Sequence, residues 1–194
     1  MMLENLSKYK VVLASNSPRR KELLAGLGIS YEVRTLADVD ESYPFGLEGI
    51  DIPMFIARTK AGAYRKIMQN DELVITADTI VWLDGEVMGK PRNVDDACRM
   101  LRALSGKTHQ VITGVCLTTI GHQKAFSVLT DVTFSELSDE EIEYYVKKYA
   151  PMDKAGSYGI QEWIGFVGVK SISGSYFNVM GLPVQRLYQE LKTF

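Results

Sequence analysis

The chain reads as an α/β fold, a mixed twisted sheet with flanking helices. Three observations predict it. Short apolar runs such as Val11-Val12-Leu13-Ala14 are interspersed with stretches of helical periodicity. The turn Asp84-Gly85 and the pair Gly121-His122 between two long strand patterns require antiparallel neighbours. No linker, repeat or low-complexity tract interrupts the 194 residues, a length that suits one well-filled domain over 1–194 or two small lobes sharing a core.

Each element has its own signal. Val11 to Ala14 is an apolar strand, and Pro18 opens a helix with Leu23, Leu24 and Leu27 on its inner face and Gly26 and Gly28 at its exit. An acidic loop follows, Ala37 to Pro44. Pro53 opens a second helix with Ile56, Ala57, Ala61, Tyr64, Ile67 and Met68 at helical spacing. Leu73 to Leu83 is a strand returned by Glu86-Val87-Met88. Asn93 caps a third helix ended by Gly106, and Val111–Ile120 with Ala125–Phe134 make a long hairpin. Ser138-Asp139-Glu140-Glu141 is a capping box, Ile164 to Ile172 reads as a last strand region, and Pro183 opens the final helix.

Composition narrows the function. The formal net charge of -2 offers no broad basic face for a nucleic-acid backbone, so phosphate chemistry has to come from local clusters of Lys and Arg. No segment approaches the ~20 apolar residues of a membrane span. The polar stretch Met1 to Lys10 lacks the apolar core of a secretory signal, and a cytoplasmic location is expected. Cys98 and Cys116 fall in a helix and a strand pattern, which points to two buried, reduced thiols.

Four segments carry candidate chemistry. Ser15-Asn16-Ser17-Pro18-Arg19-Arg20 places two hydroxyls and two guanidinium groups at a helix N-terminus, a natural anion site, or else an ordinary capped helix with solvated arginines. Asp78 interrupts an apolar strand, where an aspartate faces a cleft, a metal or a partner, unless it simply faces solvent. Lys90 stands between Gly89 and Pro91, which fix its backbone; a plain surface lysine in a turn is the alternative. Lys154-Ala155-Gly156-Ser157-Tyr158-Gly159-Ile160-Gln161, with Ser173-Gly174-Ser175-Tyr176, is rich enough in Gly and Ser to wrap a ligand or to form ordinary turns. Gly106-Lys107-Thr108 is not a P-loop, because Leu101 stands where its first glycine belongs. Neither His109 nor His122 has metal-ligand spacing, and Ser15 and Ser17 lack the G-x-S-x-G setting.

These segments, with Asp40-Glu41, Ala57-Arg58-Thr59-Lys60-Ala61, Ala77-Asp78-Thr79 and Val179-Met180-Gly181-Leu182-Pro183, resemble the Maf family of nucleotide pyrophosphatases. The likeness runs through essentially the whole chain in the family's order. It implies two lobes around a deep cleft, an inosine triphosphatase-like fold, and an enzyme that cleaves a nucleoside triphosphate to the monophosphate and pyrophosphate. Asp78 matches the family's catalytic acidic residue, while Arg19, Thr79 and Gln161 match positions tied to substrate choice. A glutamine at 161 is similar to the branch acting on dTTP and UTP; a 7-methyl-GTP-type branch tends to carry glutamate there. Family members are often dimers, so the resemblance allows a homodimer and leaves the oligomeric state open. One departure stands out: Glu162-Trp163-Ile164-Gly165 replaces the Gly-x-Gly-Gly common after that glutamine.

A triphosphate carries about four negative charges, so a divalent cation, Mg2+ or Mn2+, and several fixed cations are expected. Asp78 with Glu41 would hold the metal. Ser15, Ser17, Arg19, Arg20, Lys60, Thr79 and Lys90 would bind the substrate, with Gln161 at the base; Lys60 enters on the resemblance. Asp78 as proton acceptor and Asp78 as metal ligand alone both remain open. So does the amide of Gln161, which flipped over would suit cytosine as well as uracil or thymine. A nucleotide-binding regulatory module would keep the phosphate cradle but has little need for Asp78 and Glu41. No nucleic-acid or membrane partner is expected.

Overall fold

The computed structural model describes residues 3–37 and 39–194; Met1, Met2 and Asp38 of the acidic loop lie outside them. The elements run β1 (Lys10–Leu13), α1 (Pro18–Ala25), β2 (Glu32–Val33), α2 (Asp51–Arg65), β3 (Glu72–Leu83), β4 (Glu86–Met88) and α3 (Val94–Leu104). They continue with β5 (Thr108–Thr118), β6 (Gln123–Phe134), α4 (Asp139–Tyr149), α5 (Trp163–Gly168), β7 (Val169–Ser173), α6 (Tyr176–Val179) and α7 (Val184–Lys192). Among the described residues the strands form one seven-stranded sheet ordered β2-β1-β3-β5-β6-β7, with β4 on β3. β1 runs parallel to β2 and β3, whereas β3–β4 and β6–β7 are antiparallel, so the sheet is mixed as expected.

Local signals account for most boundaries. Ser17 caps α1, Asn93 caps α3, and Ser138 and Glu141 complete the capping box of α4. Asp84 (φ 52°) and Gly85 (φ 87°) both take the left-handed conformation that a tight hairpin turn needs. α2 starts at Asp51, so Pro53 sits inside its first turn, where a missing N–H is harmless. The hairpin strands are Thr108–Thr118 and Gln123–Phe134, and the short β2 and α6 had no clear signal.

The expected strand over Ile164 to Ile172 is incorrect in its first half, where α5 stands. A continuous apolar run does not distinguish helix from buried strand. The buried residues are Ile164 and Gly168, four apart, while Phe166 and Val167 are exposed. That is helical burial. Gly165 fixes the turn, since a Cβ there would lie 1.8 Å from the Ile160 carbonyl oxygen.

The chain divides into two compact units, Met1–Asp78 with Thr113–Val128 and Gly181–Phe194, and Thr79–Ile112 with Leu129–Met180. In the first, Val12, Tyr64, Met68 and Val74 pack together, and Ala57, Ala61 and Cys116 form a second cluster. Two contacts set the height of α2. The Thr76 hydroxyl donates to the Ala57 carbonyl (2.8 Å), and Gly114 lies so close that a Cβ would meet the Pro53 carbonyl at 2.5 Å. Cys98 and Cys116 are free and buried, as expected. Among the described residues no helix is long and apolar enough to cross a membrane.

In the second unit α3 packs on α4, and His109 lies buried between Phe134 and Tyr158 with both rings edge-on. Its Nε2 shares a 2.7 Å hydrogen bond with the Tyr158 hydroxyl, and burial lowers its pKa to about 4. Between pH 6.5 and about 4, His109 is therefore neutral in the folded protein while the unfolded chain is protonated. Its contribution is complete above pH 6.5 and is lost as pH falls toward 4, a drop worth roughly 3 kcal/mol. We expect the urea midpoint to fall between pH 7 and pH 4.5 and the fall to shrink in His109→Gln. An equal fall in the variant would place the acid sensitivity elsewhere.

Candidate active site

The strand-to-helix junction after β1 is built on two serines. The Ser15 hydroxyl oxygen accepts from Ser17 N–H (3.2 Å), and the Ser17 hydroxyl oxygen accepts from Arg20 N–H (3.4 Å). Each hydroxyl therefore keeps its hydrogen for another acceptor. Arg20 turns back from α1. Its Nε donates to the Gly181 carbonyl (2.8 Å) and its Nη1 to the Ala77 carbonyl (2.9 Å). Desolvation pushes the Arg20 pKa below its ordinary value, and the charge of Asp78 pulls it back up. Arg20 is thus no solvated surface cation. It braces the backbone one residue before Asp78.

Asp78 does not face solvent. Its side chain is 14% exposed and its Oδ1 lies 2.8 Å from Lys60 Nζ, which in turn lies 2.8 Å from Glu41 Oε1. α2 supplies the lysine, β3 the aspartate and the acidic loop the glutamate. Two carboxylates so converge on one point where a cation already stands. Among the described residues no group of three or more His, Cys, Asp or Glu is placed so that it could hold a metal ion by itself. Two carboxylates are nevertheless what Mg2+ commonly takes from a protein when phosphate oxygens complete its shell, so Asp78 and Glu41 fit such an ion.

The remaining candidates lie in the second unit. Lys90 is exposed, in the turn after β4, and that turn is tied to the Gly-rich loop by a hydrogen bond from Gly156 N–H to the Gly89 carbonyl (3.1 Å). Gly156 (φ 66°) and Ser157 (φ 61°) are consecutive left-handed residues, and a Cβ on Gly156 would strike Val81 at 2.8 Å. Thr79 follows Asp78 on β3. The Gln161 Oε1 is buried and, among the described residues, accepts no hydrogen bond. A buried unmet acceptor is costly, which marks this oxygen for a ligand.

A cluster beside Gln161 escaped sequence reasoning. The Tyr145 hydroxyl donates to Glu162 Oε2 and accepts from Gly159 N–H (3.0 Å), while buried Lys154 pairs with Glu162 Oε1 (3.2 Å) and Asp153 (2.8 Å). The one available sign was Glu162 itself, standing where glycine is usual. Nothing local marks Tyr145.

The sequence profile of the family described as "Maf-like protein" matches residues 10–194. The chain belongs to the Maf family. It is similar to relatives named dTTP/UTP pyrophosphatase in Phocaeicola vulgatus (73% identical over 98% of this chain and 99% of that one) and in Bacteroides thetaiotaomicron (68%, same coverage). A third so named, in Parabacteroides distasonis, is 62% identical over the full length of both. Among solved structures, a HAM1 protein from Coxiella burnetii covers 96% of this chain and 100% of its own at TM-score 0.50 and 13% identity, a likeness of fold alone. The Maf match thus runs through every segment that holds Ser15, Arg20, Glu41, Lys60, Asp78, Lys90 and Gln161.

Proposed function

We propose that this Maf protein hydrolyses dTTP and UTP to dTMP or UMP plus pyrophosphate in the cytoplasm. The observation that carries the reading is the meeting of Asp78 and Glu41 on one cation position, beside Arg20. The names of relatives at 62–73% identity over nearly the whole chain support the substrate class.

Ser15, Ser17, Arg19, Arg20, Lys60, Thr79 and Lys90 bind the substrate, the arginines and lysines meeting phosphate oxygens. Mg2+ or Mn2+ held by Asp78 and Glu41 would neutralise charge on the transferred phosphoryl group and its leaving group. An Asp78 oxygen accepts a hydrogen bond from the attacking water, turns the water's lone pair toward the α-phosphorus and takes the water's proton as the new bond forms. The water oxygen bonds to phosphorus, the bond from the α-phosphorus to its bridging oxygen breaks, and pyrophosphate departs with that oxygen. Gln161 reads the pyrimidine.

The test is incubation of the purified protein with Mg2+ and, separately, dTTP, UTP, CTP, ATP, GTP and 7-methyl-GTP. Pyrophosphate and the monophosphate should appear fastest from dTTP and UTP. Release of orthophosphate, or no release from any nucleotide, sinks the proposal, and preference for 7-methyl-GTP transfers the chain to that branch.

A further inference from the structure

Gly159 holds open a small space that two side chains share. A Cβ there would lie 2.9 Å from Glu162 Cδ, 3.1 Å from Glu162 Oε2 and 3.0 Å from Gln161 Nε2. The nitrogen end of the Gln161 amide and the Glu162 carboxylate therefore crowd the same point. The carboxylate is not free to leave it. Tyr145 donates to one of its oxygens, Lys154 pairs with the other, and Tyr145 also receives the Gly159 N–H. Lys154 is shared with Asp153, so its single positive charge is divided between two carboxylates.

We propose that Glu162 is a positioning residue that fixes which end of the Gln161 amide meets the base, and so sets discrimination of uracil and thymine against cytosine. This rests on the reading of Gln161 as the base contact. A negative carboxylate attracts the amide NH2 and repels the carbonyl end. With Nε2 held over Gly159, Oε1 is the end left over, and it is the buried oxygen that accepts no hydrogen bond among the described residues. An acceptor opposite ring position 3 pairs with the N3–H of uracil or thymine. Cytosine presents a lone pair at N3, and two acceptors then face each other. A site built to satisfy one hydrogen-bond pattern rejects the other strongly, because its buried group is left unpaired. Without the carboxylate, the amide can flip and the distinction weakens.

UTP and CTP differ only on that edge, which makes their ratio of kcat/KM the readout. Wild type should favour UTP, and Gln161→Ala should abolish the preference. Glu162→Gln, a neutral isostere, should lower the UTP/CTP ratio at least tenfold, with kcat on UTP changing less than KM. Tyr145→Phe, which keeps the charge pair with Lys154 but loosens the carboxylate, should lower it less and covers the case in which Glu162→Gln fails to fold. An unchanged ratio in folded Glu162→Gln, or in Tyr145→Phe when that variant alone folds, while Gln161→Ala loses the preference, overturns the role of Glu162 alone. A wild type indifferent to UTP and CTP, or a preference surviving in Gln161→Ala, overturns the Gln161 reading with it.

Discussion

Asp78→Asn is expected to give a folded protein whose turnover is lower by about 10²–10⁴-fold, the usual cost of losing a positioned acid or base. The substitution preserves volume, replaces one acceptor oxygen by a donor NH2 and removes one charge. Lys60 keeps Glu41 as a partner at 2.8 Å, so α2 retains an ionic tie and the melting temperature should move little. What disappears is the oxygen that orients water and one of the two carboxylates facing the cation position. Pyrophosphate release from dTTP and UTP, measured beside a thermal melt, separates the outcomes. A well-folded Asp78→Asn with most of its activity would reduce Asp78 to a strand residue paired with a lysine.

Arg20→Ala is expected to lose both stability and activity. Two bonds from one guanidinium reach the Ala77 and Gly181 carbonyls, and hydrogen bonds to charged groups contribute about 1.5–3 kcal/mol each. Half-burial places the sum toward the low end, about 3 kcal/mol, or about 6–12 °C in melting temperature for a chain of this size. Activity falls further than folding, because the brace one residue before Asp78 is gone along with a phosphate cation. Lys90→Ala is the comparison. It removes an exposed charge and should weaken turnover while the melt stays within about 1 °C. Equal melts for wild type and Arg20→Ala would mean that the two carbonyls find water at no cost.

In sequence Arg20 is an arginine at a helix start that could equally be solvated, and the structure decides against the solvated alternative for a physical reason. Charge and position at a helix start are local, but the carbonyls that capture the side chain come from residues 77 and 181. The same division runs through the molecule. Ser17, Asn93 and the Ser138–Glu141 box were legible because a cap is satisfied within three residues, and Asp84-Gly85 because a tight turn is a property of its own backbone. The run from Ile164 was misread, since its helical burial depends on what covers Ile164 and Gly168. Asp78 stood out in its apolar strand, while Glu41 and Lys60 entered through the resemblance, and the meeting of all three around one ammonium needed the fold. Tyr145 carried no local sign, because its partners Gly159 and Glu162 reach it only through the packing of α4.

Gly114 has no chemistry to offer, yet α2 could not lie at its present height if that residue carried a side chain. Any larger residue would lift the first turns of α2, and with them the lysine that the helix carries toward Asp78. A saturation screen that scores activity alone would rank position 114 with the acids and bases of the reaction. The difference would appear only in a companion screen for abundance, where a displaced helix is costly and an idle carboxylate is not. Inheritance at this position thus records a distance between two backbones rather than a function.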